Sequence, residues 1–294
     1  MELKHLQTFR TLAEELHFTR TADRLNYAQS SVTAQIQGLE EEFGVRLFER
    51  MGKRVRLTGA GDRLLHYANG MLRLAEEARA VVPGNLEPAG TLTIGAVESL
   101  CTYRITPILA EYRSRFPQVE LVFRTGICVD LRKEVAQGNL DLAFTLEEAG
   151  RDDRLDFEVL LEERMLVLVQ VDHPIARKSG VRAADLEGET ILVTEPGCSY
   201  RAMFEQSLAA AGLRNPKIEF ASVEAIKQCV ISGLGVTLLP KMAVVQELQQ
   251  GQIAALPWTD PGFPVVTQMC RHKDKWISPS LQAFMDLARR FLTK

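Results

Sequence analysis

The run from Thr19 to Thr58, TRTADRLNYAQSSVTAQIQGLEEEFGVRLFERMGKRVRLT, leaves a chain few ways to fold. It reads as a short helix, a tight turn, a second helix and a basic hairpin. In the second helix Val32, Ile36, Leu39 and Phe43 recur on the helical period, so one stripe must face a core. The other face, at its start, carries Ser30, Thr33, Ala34 and Gln37. These are small or neutral hydrogen-bonding side chains, which can lie against base edges without stranding a charge. The hairpin that follows sets Arg46, Arg50, Lys53, Arg54 and Arg56 against one acid, Glu49. That balance seeks phosphate.

The flanks agree with this reading. Leu6, Phe9, Ala13 and Leu16 give a preceding helix an apolar stripe that can cover the stripe of the later one. Ala22 is small where two helices cross closely, Thr19 is expected to cap the first helix of the pair, and Asn26-Tyr27 marks the turn. The pattern AxxLxxxQxSVxxQIxxLExxxGxxLFxR, from Ala22 to Arg50, resembles the winged helix-turn-helix of LysR-type transcriptional regulators. The resemblance implies a double-stranded DNA partner. Gln29, Ser30, Thr33 and Gln37 become candidate base or sugar contacts, and Arg50, Lys53 and Arg54 candidate grips on phosphate or the minor groove. Two positions depart from the family: Ala28 stands where a capping Ser is usual, and Ala34 where many relatives carry Arg.

With 294 residues there is room for two or three domains, and 46% apolar with 25% charged residues is ordinary for a globular chain. The net charge of −3 speaks against a surface that is basic throughout, but steering depends on the local field. Five cysteines, widely separated and without a CxxC or Cys/His cluster, give no disulfide framework or structural metal. The amphipathic, acidic start MELKHLQTFRTLAEEL is unlike a signal peptide, and no long apolar run suggests a membrane span. A reduced, cytoplasmic protein without a cofactor is the expectation.

After Thr58 a long helix is predicted, in which Leu64, Ala68, Met71, Ala75, Ala78 and Val82 form a heptad seam. So long an apolar face suits a partner helix from a second copy, and the family's linker helix dimerises in this way. The Pro- and Gly-rich segment 83–90 reads as a linker. Beyond it strand and helix alternate, which argues for parallel α/β units, and the β run at 155–171 can carry the chain from one sheet into another. The expected fold class is α/β: an N-terminal winged helix-turn-helix (1–57), a linker helix (58–83), a hinge (84–90) and a two-subdomain effector domain resembling periplasmic binding proteins. Subdomain I spans 91–162 plus 266–294, and subdomain II spans 163–265. The resemblance further implies a homotetramer built from dimers and leaves RNA polymerase open as a partner.

In open parallel sheets ligands bind beyond the carboxyl ends of the strands. That rule selects ESLCTYR (98–104) and EPGCSYR (195–201) as opposed walls of a cleft. Carried over residue by residue, the resemblance places effector contacts at Ser99, Cys101 and Thr102 on one wall. Thr125 and Thr145 lie at neighbouring strand ends, and Thr194, Cys198, Ser199, Tyr200, Arg201 and Ser222 line the other wall. A guanidinium at a helix entrance suits carboxylate or phosphate, so Arg201 points to a small anionic effector such as a carboxylate. Three other readings compete. A thiol sensor would use Cys198, but the second cysteine of peroxide-sensing relatives is replaced by Ser207. A solute-binding protein would leave residues 1–57 without purpose. An enzyme would need a nucleophile, base and oxyanion site that no motif here assembles.

Overall fold

The computed structural model describes residues 1–51, 54–82 and 87–293, and divides into two compact units. The first comprises Met1–Glu87 with Gln137–Asn139, and the second Pro88–Ala136 with Leu140–Lys294.

In the first unit α1 (Leu3–Glu15), α2 (Phe18–Leu25) and α3 (Gln29–Phe43) pack around Leu6, Phe9, Leu12, Ala22, Val32, Ile36 and Leu39, all buried. The predicted stripes are corrected at their ends. Leu16 is the left-handed cap of α1 (φ 48°) and is exposed, so Leu12 takes its place in the core. Phe43 is likewise 44% exposed at the last turn of α3, where Gly44 closes the helix. Capping of α2 also differs: His17 Nδ1, not Thr19, accepts the Arg20 N–H. The turn into α3 rests on Asn26 at φ 54°, and α3 starts at Ala28 without a side-chain cap.

The hairpin β1 (Phe48–Met51) and β2 (Arg54–Leu57) pairs antiparallel, Phe48 opposite Leu57. Its root is held by Glu40, whose carboxylate accepts from Leu47 N at 2.8 Å and Phe48 N at 3.3 Å and pairs with Arg46 at 3.0 Å. Then comes α4 (Gly59–Val81), capped by the Thr58 hydroxyl, which accepts from Gly61 N. Gly61 has no room for a side chain: a Cβ there would sit 2.2 Å from the Leu47 carbonyl oxygen. The expected seam of α4 is divided. Leu64 and Ala68, with Leu72, are buried in the unit's own core, whereas Tyr67, Met71, Leu74, Ala78 and Val82 are exposed.

The second unit holds a five-stranded sheet in its first lobe and, in its second, a three-stranded sheet bridged to a two-stranded one. β3 (Gly90–Ala96) leads into the short α5 (Glu98–Leu100), a π turn at Cys101–Ile105 and α6 (Thr106–Arg115). Next come β4 (Val119–Thr125), α7 (Cys128–Ala136), β5 (Leu142–Glu147) and β6 (Leu155–Glu163). The chain then enters the second lobe through β7 (Met165–Gln170), β8 (Ile191–Val193) and α8 (Ser199–Ala210). The second lobe continues through β9 (Lys217–Glu219), α9 (Val223–Ile231), β10 (Thr237–Pro240), α10 (Val245–Gln249) and β11 (Ile253–Ala255). Finally β12 (Val265–His272) and α11 (Pro279–Leu292) return to the first lobe.

The first sheet has the order β4-β3-β5-β12-β6, with β3 parallel to β4 and β5, and β12 antiparallel to both its neighbours. The second lobe joins antiparallel β10-β7-β11 to the parallel pair β8-β9 through a bridge at Ile191 and Val236. That junction is tight, since a Cβ on Gly235 would meet the Thr190 carbonyl oxygen at 2.1 Å. Apolar side chains from the sheets of both lobes and their helices form the core, with Tyr112, Phe144, Phe204 and Phe284 among the largest fully buried. As the long β run suggested, β6 and β7 belong to different sheets and only Arg164 separates them.

Candidate functional site

In the first unit the polar face of α3 is open. Gln29, Ser30 and Gln37 are exposed and Thr33 half-buried, its hydroxyl donating back to Gln29 O at 3.1 Å. These side chains sit opposite the Val32, Ile36 and Leu39 stripe, so helical geometry presents them outward from a fixed core. Of the basic residues expected on the hairpin, Lys53 lies outside the described residues, as do the side chains of Arg50 and Arg54. Arg46 and Arg56 are exposed. Sequence reasoning missed Glu40, which ties the hairpin to α3; its signal was the acid directly after Leu39 in the motif.

In the second unit a cavity of ≈ 30 Å³ lies where strand ends from both lobes converge. One wall is formed by Val97, Glu98 and Ser99 after β3, Gly126, Ile127 and Cys128 after β4, and Leu146 of β5. The other is formed by Thr194, Glu195, Cys198, Ser199 and Tyr200 after β8, with Ala221 and Val223 after β9. The lobes are tied across it: Ser199 Oγ donates to Leu146 O at 2.6 Å, and Tyr103 Oη donates to Glu224 Oε2 at 3.0 Å.

Five expected residues, Ser99, Thr194, Cys198, Ser199 and Tyr200, line this cavity. The others do not. Cys101 and Thr102 belong to the π turn, with Thr102 exposed, and Thr125 is exposed at the end of β4. Thr145 is buried inside β5 and accepts from Gln268 Nε2 at 3.1 Å, while Ser222 is the half-buried N-cap residue of α9. Arg201 is the largest correction. Its guanidinium is held by Glu205 at 3.1 Å, by Glu219 at 2.9 Å and by the Thr194 carbonyl, so its charge is spent outside the cavity. The anionic effector expected from it loses its basis.

The charged groups that do line the cavity are acids, Glu98 and Glu195. Burial, then the charges of Glu195 and Glu224, push the Glu98 carboxyl above its ordinary range. The thiols are also held protonated: burial pushes Cys128 up to about 12 and raises Cys198, against smaller opposing hydrogen bonds. A reactive thiolate at Cys198 is therefore not what this site builds.

A raised carboxyl destabilises the fold when it ionises, so the cost of Glu98 is absent below its ordinary value of 4.5 and fully present above its raised value. Glu98→Gln is expected to raise the melting temperature of the unliganded protein at neutral pH, with the gain fading as pH falls toward 4.5. A gain that did not change with pH would contradict this.

A helix-turn-helix with an open polar face, in one chain with an α/β unit that has a cavity at its strand ends, defines a transcriptional regulator that couples DNA to a ligand-binding module. Residues 3–62 match the family model of bacterial regulatory helix-turn-helix proteins, lysR family, and residues 85–293 match the LysR substrate binding domain. The chain belongs to the LysR family of DNA-binding transcriptional regulators. It is 48% identical to the uncharacterized HTH-type transcriptional regulator YwqM of Bacillus subtilis, over 99% of each chain. It is 35% identical to the HTH-type transcriptional regulator GltR of Bacillus subtilis, over 97% of this chain and 95% of the relative. Among solved structures, a full-length OxyR variant from Pseudomonas aeruginosa superposes with a TM-score of 0.78 at 27% identity, covering 98% of this chain and 93% of that one. Full-length BenM gives 0.57 at 26% identity, covering 99% and 96%. No helix among the described residues is long and apolar enough to cross a membrane.

Proposed function

We propose that this regulator reads its operator with Gln29, Ser30, Thr33 and Gln37 of α3, steadied on phosphate by Arg50, Lys53 and Arg54, and that a small molecule between the two lobes sets the grip. The observation that carries the reading is the open polar face of α3, held rigid by its fully buried opposite stripe. The exposed stripe Tyr67, Met71, Leu74, Ala78 and Val82 on α4 supports a homodimer, because these residues recur on one face of a long helix. A two-fold dimer presents two recognition helices to a pseudo-palindromic site. Contacts between effector-binding units would extend the dimer to a homotetramer, so that a ligand changes the spacing of the DNA-reading pairs and the bend they impose.

Footprinting on the promoter next to its own gene tests this. Gln37→Ala should reduce discrimination between operator and scrambled duplex by about 1–3 kcal/mol. Lys53→Ala should weaken binding to every sequence and lower the salt slope by about one. Leu74→Glu should shift sedimentation from dimer toward monomer and weaken operator binding with it. Unchanged operator preference in Gln37→Ala together with an unchanged salt slope in Lys53→Ala would remove the assignment.

A further inference from the structure

Resting on the reading of the cleft as the effector site, we infer that its ligand is a small primary ammonium group, recognised by Glu98 and Thr194. Among the described residues, the cavity carries two carboxylates in its lining, Glu98 and Glu195, and no lysine, arginine or histidine. Two of its lining side chains hold polar atoms sealed from solvent with no hydrogen-bond partner among the described residues, Glu98 Oε2 and Thr194 Oγ1. Thr194 is 95% buried by its 5% exposure, so its orphaned hydroxyl is a deep one. A partnerless buried acceptor costs the protein its desolvation and persists where something else completes it. The Glu98 carboxylate oxygen accepts and the Thr194 hydroxyl can accept, so a single donor group completes both, and the surrounding negative charge selects a cation.

The protein's own nearest candidate cannot supply it. Lys227 acts on Glu98 only through space, because its ammonium is filled by Glu247 at 2.6 Å, Glu224 at 2.8 Å and Ala243 O at 3.0 Å. A ligand ammonium has three donors and fits the deficit of charge and of protons together. Size narrows the choice. A cavity of ≈ 30 Å³ admits a group of one or two non-hydrogen atoms, since a single water needs about 10–15 Å³. Methylated quaternary ammonium, which is bulkier and has no N–H, is excluded by the same geometry.

The test is thermal unfolding of the full chain, followed by tryptophan fluorescence, in chloride salts of methylammonium and tetramethylammonium and in sodium acetate, each matched in ionic strength to sodium chloride. Methylammonium is expected to raise the melting temperature with the logarithm of its concentration, as a ligand of the native state must. Tetramethylammonium and acetate should leave it unchanged. The rise should vanish in Glu98→Gln and shrink in Thr194→Val. No rise with methylammonium, an equal rise in Glu98→Gln, or a rise with acetate overturns the inference. Operator footprints run with the same salts separate it from the underlying reading. A methylammonium rise lost in Glu98→Gln, with an unchanged footprint, keeps the ligand class and removes the control of DNA by the cleft. A cleft-dependent acetate effect with an altered footprint does the reverse.

Discussion

Lys227→Ala is expected to cost the effector-binding unit about 3–5 kcal/mol, the range for removing one partner of a buried ion pair. Lys227 and Glu247 are both buried, 2.6 Å apart, and the lysine also bonds the Ala243 carbonyl and faces the Tyr103 ring at 5.6 Å. Burial alone would lower the lysine's pKa, but Glu224 and Glu247 outweigh it and hold the ammonium charged. Truncation strands Glu247, whose Oε2 already lacks a partner among the described residues. Removing both charges together, Lys227→Met with Glu247→Gln, should recover most of the loss. Urea unfolding read by tryptophan fluorescence measures this directly, because both tryptophans, Trp258 and Trp276, lie in the second unit. A loss below about 1 kcal/mol would mean that solvent reaches the pair.

Phe9→Ala is expected to cost a similar amount, about 3–5 kcal/mol, but in the first unit. Phe9 is fully buried among α1, α3 and the hairpin, its ring 5.3 Å from that of Phe48. The cavity left behind would loosen both the recognition helix and the hairpin. Operator binding should be lost, while the fluorescence transition stays in place, since the first unit contains no tryptophan. Circular dichroism at helical wavelengths would register the change that fluorescence does not. If the fluorescence transition moved too, the two units would be unfolding as one and the expectation would fail.

The helix-turn-helix was legible because its information is local. Val32, Ile36 and Leu39 fall on one stripe, and the turn residue Asn26 takes the left-handed backbone such a sharp link needs. The errors fell where helices stop. Leu16 and Phe43 continue the apolar period by one step, but their helices have already turned, and periodicity carries no such boundary. On α4 the sequence offers two adjacent apolar stripes, and spacing alone did not say which one the unit covers itself. The structure buries Leu64, Ala68 and Leu72 and leaves the Tyr67, Met71 and Leu74 side open.

The cleft was legible at the level of segments. Strand ends in a parallel sheet converge, so ESLCTYR and EPGCSYR were selected without any contact being visible. The choice within each segment fared less well for a physical reason. Arg201 on helix α8 is neutralised by Glu219, which lies on strand β9, and only the fold brings them within 2.9 Å. Glu98 stands beside the chosen Ser99, yet a glutamate reads by default as solvated, and its burial depends on the lobe that closes over it.

The two passages between lobes have a consequence for how the cleft works. One is the single residue Arg164; the other ends at Pro264, and the strands they enter are register partners at Glu163 and Val265. Both pins of this door are therefore mounted side by side on neighbouring strands of one sheet. The ladder between them lies wholly within the first lobe, so the two passages keep a fixed spacing, and rotation of the second lobe about the line through them leaves every rung intact. A molecule held between the lobes would therefore act most directly on the angle between them.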